Sequence, residues 1–527
     1  THVAEFATKS SMAFAPLNGL RTTPELKQAF EEAAANTHID QWWLRNYMKF
    51  NSGVKWSKTI GSPLTHLRNL VGNLGFAVAN GHIPNGSIKM KDLIGVTGLF
   101  GQREEAAQEK YEEYVRLGIV QSGSFREVFD AVQEAGGLSV EEWANRWAER
   151  GGARAAASKA AKAAQGTIEF MNKAYMAEDD IWKIFAYETE LKRYSDAYAK
   201  SGQPVPDTLK QDVAKIIQNT YPNYDNVPKF IKGLRQVPFM GTFTSFPWEV
   251  GRTAVNRILL THKELRSDNP EIRKIGMQRA VGQLSAIMGA YVLQEVAAAI
   301  LGFDDEELEA VRQLAAPWNE NSPMVLLPGE DGKVRFIDLG YVDPHSYFTK
   351  PILAMFRADD IGLKKALVSA VNEITDPFFG EEILFGRILD VARNKKRSGS
   401  KVYLDAAPLT QRVLEGSKYI LGAIEPGLVD QFIRTPYRAV MGYTNDYGKT
   451  YSLPYHLFQQ TTGLKIETID PRQAFSFRAA TFARNESSLT GYLRKVAGRR
   501  GTVSDRELES TYAMVNRNRQ QNMDAFQ

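Results

Sequence analysis

The chain has 527 residues, 43 % hydrophobic and 24 % charged, with a formal net charge of +4 and no cysteine. That apolar fraction supports buried cores and argues against wholesale disorder. The small net charge does not by itself mark a nucleic-acid binder. The lack of cysteine excludes disulfide frameworks, thiolate metal sites and cysteine nucleophiles. The first residue is Thr1, so a trimmed start or a piece of a longer chain is the expectation.

Helix punctuation runs along the whole sequence. Thr22 with Glu25, Thr37 with Asp40, Ser139 with Glu142 and Ser504 with Glu507 all have the spacing of helix N-termini. In each, a side-chain oxygen can accept from backbone N–H groups that lack an intrahelical partner. Lys58 to Gly81 has a basic front and an apolar tail containing Gly72-Asn73-Leu74-Gly75. That GxxG fits a nucleic-acid loop or a helix-packing glycine pair, and packing is the preferred reading. Residues 153–164 are rich in alanine, the strongest helix former. They lead into an aromatic stripe from Phe170 through Tyr175, Trp182, Phe185 and Tyr187 to Tyr194, which reads as a core face.

Residues 221–248 interleave prolines with aromatics. Lys229, Lys232 and Arg235 fall on one side of a short helix. Phe239, Phe243, Phe246 and Trp248 follow. An amphipathic basic helix beside an aromatic run suits a membrane interface or an assembly contact, the alternative being a connector packed on a core. Residues 281–303 would reach about 34 Å as a helix, enough to span a bilayer core. Small residues such as Gly289 suggest close helix packing, but Gln283, Gln294 and Glu295 interrupt the run. An ionised glutamate facing lipid is costly. The expectation is therefore a conditional insertion segment, hidden against residues 221–248 until released, or else a buried core helix.

Strand signals are rare. Val325-Leu326-Leu327, a Pro328-to-Gly332 turn and Lys333 to Leu339 form one hairpin near 324–341. Lys395, Lys396, Arg397 and Lys401 lie in a basic loop, with Arg499 and Arg500 near the C-terminus. They are candidates for salt-sensitive phosphate contacts, weighed against a plain solvated loop.

No motif carries chemistry. The seven histidines lack metal-site spacing, and no phosphate-binding, nucleophile-elbow or dinucleotide fingerprint is present. Two acidic clusters remain. Asp304-Asp305-Glu306-Glu307 reads as helix-start residues complementing the dipole. Glu178-Asp179-Asp180, inside a helical pattern, reads as a solvated face or a partner for nearby Lys or Arg. No catalytic, cofactor-binding or metal residue is assigned, and no cofactor is expected.

The expected fold is mostly α, an elongated multi-helix assembly with the one hairpin. The expected regions are 1–165 (helical), 166–303 (helical, with the apolar helix), 304–403 (hairpin and basic loop) and 404–527 (helical).

Taken in order, the stretch around Arg68-Asn69, the helix Phe170 to Tyr194, Tyr221-Pro222-Asn223-Tyr224, Val237-Pro238-Phe239 and the Arg273 to Leu301 helix resemble a known group. It is the C-terminal region of the large internal virion (ejection) protein of short-tailed bacteriophages, with the related helical domain of phage large polyvalent proteins. The resemblance covers roughly residues 54–301. It implies a non-enzymatic structural protein, stored in the virion interior and released with the genome to help form a conduit across the host cell envelope. The partners so implied are other copies of itself, other virion proteins and the host envelope membrane, with non-specific contact to packaged DNA. The transglycosylase domain of some members has no counterpart here. Two alternatives stand beside this reading. One is a core, portal-associated or tail component without membrane activity. The other is a module of a virion polymerase polyprotein.

Overall fold

The computed structural model describes residues 4–5, 21–22, 59–60, 62–84, 86, 88–120, 154–228, 230–231, 244–315, 319, 321–347, 349–351, 383–394, 402–403, 408–421, 430–444, 449–498 and 505–526. Of the described residues 72 % are helical, and a small three-stranded antiparallel sheet accompanies them. The described elements are numbered in chain order. Two short strands, β1 (Ala4–Glu5) and β2 (Arg21–Thr22), pair antiparallel. Helices α1 (Pro63–Ala79), α2 (Met90–Thr97), α3 (Glu105–Arg116), α4 (Arg154–Lys200) and α5 (Leu209–Thr220) follow. Next come α6 (Ser245–Leu265), α7 (Pro270–Leu301) and α8 (Asp305–Leu314). The alanine-rich segment and the aromatic stripe form one continuous helix, α4, which runs through the expected boundary at 165/166.

Two main cores organise the described residues. The first gathers Phe76 of α1, Leu93 of α2, Tyr114 of α3, Ile217 of α5, Val250 of α6 and Ile275 of α7 around the α4 stripe. Tyr175, Trp182, Phe185, Tyr187 and Tyr194 of that stripe are buried, as the periodicity indicated. Phe170 is exposed and leans on Phe100. The second core lies under the sheet. Ala298 of α7 and Leu308 and Val311 of α8 meet Met324, Leu326, Phe336, Ile469 and Ala474 there. Helix α7 therefore reaches from one core to the other.

The hairpin forms where expected, as β3 (Met324–Leu327) and β4 (Val334–Asp338), with Met324 opposite Asp338. Asp331 and Gly332 turn the chain at positive φ. A third strand, β5 (Ile466–Ile469), pairs with β4. Four residues between Gly463 and Pro471 give no local sign of that distant partner. The C-terminal region adds α9 (Ile383–Arg393), α10 (Leu409–Leu421), α11 (Thr435–Val440), α12 (Leu453–Thr462), α13 (Pro471–Ala497) and α14 (Asp505–Phe526). Helix α14 starts directly after Ser504. The other three N-terminus signatures have most of their residues outside the described ones.

Helix α7 has well-defined ends. Asn269 Oδ1 accepts from the N–H groups of Glu271 and Ile272 at 2.9 and 3.3 Å, and Pro270 occupies the first turn. Gly302 closes the helix in the left-handed region, φ 76°. Asp304 and Glu307 then form a reciprocal capping box that starts α8, so the second acidic cluster is helix punctuation.

Glycines settle two expectations. Gly72 and Gly75 are packing glycines: an added Cβ would lie 3.2 Å from the Val342 carbonyl oxygen at Gly72 and 3.2 Å from the Pro344 ring at Gly75. Gly289, expected to pack closely, has nothing within 4 Å of an added Cβ. The close approach is at Gly282, where a Cβ would collide with the Val78 carbonyl oxygen and sit 2.8 Å from the Gly81 nitrogen. Gly282→Ala is expected to destabilise the protein by about 1–3 kcal/mol or more, because backbone cannot retreat as a flexible side chain does. Gly289→Ala should be neutral or stabilise by up to about 1 kcal/mol through helix propensity. Equilibrium denaturation of the two variants checks the contrast.

Candidate functional site

Helix α7 is folded with its polar side inward. Arg279, Gly282, Gln294 and Ala298 are buried, whereas Met277, Val281, Leu284, Met288, Val292, Leu293, Val296 and Ile300 are exposed. Leu284 is 59 % exposed, Val281 64 % and Ile300 78 %. By length and composition the helix is able to cross a membrane, yet only 11 % of its most apolar 18 residues is buried. The neighbouring α6 likewise leaves Val255, Ile258 and Leu259 outward. Isolated soluble domains rarely expose a contiguous apolar surface of this kind. The expectation that folding hides this helix is thus corrected.

The inward side is held first by a buried ionic cluster. Arg279 donates from Nε and Nη2 to the two carboxylate oxygens of Glu264 at 2.9 and 2.8 Å. Nη2 also reaches Glu190 Oε1 at 2.5 Å, and Nη1 reaches Asn80 Oδ1 at 3.0 Å. Tyr194 donates to Glu264 at 2.6 Å, and Arg193 lies 3.7 Å from Glu190. Two guanidiniums thus balance two carboxylates, drawn from α4, α6 and α7, with Asn80 closing α1. His82 completes the set, its Nε2 at 2.9 Å from Glu190 and its Nδ1 at 3.0 Å from the Tyr221 hydroxyl. A neutral ring that donates to the carboxylate and accepts from the phenol satisfies both bonds.

The charges follow from this geometry. Burial opposes ionisation of Glu190, but Arg279, Arg193 and His82 outweigh it and hold the carboxyl well below its usual range. Burial likewise opposes charge on Arg279, and its two glutamates keep it protonated. Burial lowers His82 to about 4 despite the nearby Glu190.

A second clamp holds the C-terminal half of α7. Gln294 Oε1 accepts from Arg312 Nη2 and, at 3.0 Å, from the Met324 backbone N–H. Its Nε2 donates to the exposed Glu295 at 2.8 Å. Gln283 donates to Thr261 of α6 at 2.6 Å. The glutamines that interrupt the apolar run are therefore anchors to the protein body. Near the first clamp, buried Arg257 donates to His345 Nε2 at 3.2 Å and to the Thr220 carbonyl at 3.2 Å. His345 Nδ1 lies 3.2 Å from Asp343, so the ring relays the guanidinium's contact to a carboxylate. Burial lowers Arg257 to about 10.

The cluster Glu178-Asp179-Asp180 is not a solvated face. Glu178 contacts His66, Asp179 pairs with buried Lys183 at 2.7 Å, and Asp180 accepts from Tyr111 at 2.8 Å. Helix α4 packs on several neighbours at this level, so even its polar positions are enclosed. Among the described residues, no group of three or more His, Cys, Asp or Glu is placed to hold a metal ion.

Of the sequence candidates on α7, Glu295 is exposed and Gly289 half-buried. Phe246 and Trp248 are half-buried against a small cluster of Tyr224, Val227 and Ile231. Trp248 meets exposed Phe230 edge-on, ring centroids 5.5 Å apart. The described part of 221–248 thus packs as core. Lys229, Lys232, Arg235, Phe239, Phe243, Lys395, Lys396, Arg397, Lys401, Arg499 and Arg500 lie outside the described residues. The sequence reading missed Arg279 and its partners, although an arginine directly before an apolar run is the visible trace of such an anchor. Compared with protein-family models, curated proteins and solved structures, this chain matches none.

Two expectations follow. Arg279→Met should cost about 3–5 kcal/mol, because it leaves Glu190 and Glu264 buried without their main counter-charge. Acid should weaken the cluster. An unfolded chain protonates His82 near 6.5, the folded one only near 4. Between these values the unfolded state binds more protons, so stability falls as pH drops, by about 3 kcal/mol at pH 4 from this residue alone. Glu190 adds to the loss below the ordinary carboxylate range. His82→Gln keeps a donor and an acceptor and removes the titration. Its denaturation free energy should therefore be flatter than that of wild type between pH 6.5 and 4.

Proposed function

We propose that this chain works by assembly and insertion rather than by catalysis, as an internal virion (ejection) protein of the kind its sequence resembles. On this reading it is stored in the virion, leaves with the genome and helps to build a conduit across the host cell envelope. The observation that carries the reading is α7, a 32-residue helix with its polar anchors turned inward and its apolar side outward. A soluble core helix has the opposite arrangement. The buried charges support it too: Arg279, Glu190 and Glu264 are engaged with one another, as expected of a structural anchor. Exposed α6 residues Val255, Ile258 and Leu259 widen the surface offered.

The test is flotation with, and leakage of, vesicles containing anionic lipid. Wild type should float with the vesicles and release their contents. Leu284→Gln combined with Val292→Gln and Ile300→Gln changes exposed positions only. That variant should stay folded and lose both activities at least tenfold. Equal activity in the two proteins, or none in wild type across pH and lipid composition, would remove the membrane half of the reading. Presence in purified virions and depletion after genome release would test the other half.

A further inference from the structure

The outward side of α7 has a charge pattern along its length. Around its N-terminal end Lys263, Arg266, Arg273 and Lys274 are exposed; Asp268 and Glu271 offset part of this charge, and Glu271 pairs with Lys274 at 2.6 Å. Directly beyond its C-terminal end Asp304, Asp305, Glu306 and Glu307 are all exposed. Between Met277 and Ile300 the exposed residues carry one charge, Glu295. The surface is therefore basic at one end, apolar in the middle and acidic at the other.

We propose that this face is covered by α7 of a second copy of the chain, running antiparallel across a two-fold axis near Met288 and Gly289. The proposal takes from the functional reading only that the face is a working surface. A pair related by a two-fold axis uses the same patch on both partners. Antiparallel pairing sets the basic end of each copy beside the acidic end of the other, whereas parallel pairing juxtaposes like charges. The register that brings Arg273 beside Asp304 of the partner subunit also matches residues of the apolar stretch. In this register Val281 of one copy faces Val296 of the other and Ser285 faces Val292, all four exposed and on one side of the helix. The axis falls at Gly289, whose missing side chain leaves open space and lets two backbones approach closely. A glycine without a packing role inside its own chain thereby gains one. Glu295, bonded by Gln294, lies toward the edge of this contact and stays hydrated there.

The chain has no cysteine, so each introduced thiol is unique. Disulfides form only where Cα atoms come within about 7 Å. Three single variants at exposed positions are needed: Met288→Cys, Val281→Cys and Val296→Cys. Under mild oxidation, without lipid, Met288→Cys should give a covalent dimer. Val281→Cys and Val296→Cys should each stay monomeric on a non-reducing gel, and an equimolar mixture of the two should cross-link. Self-linking of Val281→Cys and Val296→Cys with no linking of Met288→Cys would overturn the antiparallel arrangement. So would equal linking of all three. No cross-link in any sample, with vesicle flotation intact, would overturn the second copy as occupant and put a bilayer on the face. Cross-linking as expected with no vesicle activity would uphold the dimer and refute membrane insertion, so the two readings fail separately.

Discussion

Arg279 bound to Glu264 and Glu190 is the contact on which the rest of the arrangement depends. A guanidinium in a protein interior is tolerated only with its counter-charges and hydrogen-bond acceptors in place. Here they come from α4 and α6, and Asn80 adds the end of α1. Four segments, with α1 and α4 far in sequence from the consecutive α6 and α7, must meet before the charge is satisfied. Once they do, the rotation of α7 about its axis is fixed. In the N-terminal half the side bearing Arg279 and Gly282 faces the body, and the side bearing Val281, Leu284 and Met288 faces outward.

That rotation is why an apolar helix can be displayed rather than buried. Hydrophobic burial alone would turn Val281, Leu284, Val292 and Ile300 inward, since each loses favourable free energy in water. Three devices act against it. Gly282 brings the backbone of α7 against Val78 and Gly81. Gln294 locks the other half to Arg312 and β3. The ends of the helix are built into separate cores, through Ile275 at one end and Ala298 at the other. The stretch between the cores is bound to lie across the surface. Leaving this apolar area in water has a cost in stability, which the anchors at both ends offset.

Much of the fold was legible in the sequence because its signals are local. Alanine content and aromatic spacing mark α4, Asp304 with Glu307 marks the start of α8, and the Pro328-to-Gly332 turn marks the hairpin. Strand β5 was not legible, because its pairing with β4 spans more than a hundred residues and leaves no nearby pattern. The candidate site was half legible. Length, apolar content and the interrupting glutamines of α7 could be read, but not the side each would face. An apolar run has no strong periodicity to orient it, and Gln294 looked like a defect when it is a clamp. Gly289 misled for the same reason: a small residue permits close packing without saying whether another chain segment is there. For Glu178 to Asp180 the sequence left a solvated face and pairing with a nearby Lys or Arg both open; Asp179 pairs with Lys183, and contacts from His66 and Tyr111 enclose the other two.

The central claim is the orientation of α7, and thiol accessibility tests it most directly. Leu284→Cys, Ile300→Cys, Ile275→Cys and Ala298→Cys would each be reacted with a water-soluble maleimide in dilute solution. The thiols at 284 and 300 should react about as fast as in the unfolded chain. Those at 275 and 298 should react only through global opening, slower by a factor of a thousand or more. Fast reaction at 275 and 298 with protection at 284 and 300 would mean that α7 is turned the other way, and the account would be wrong.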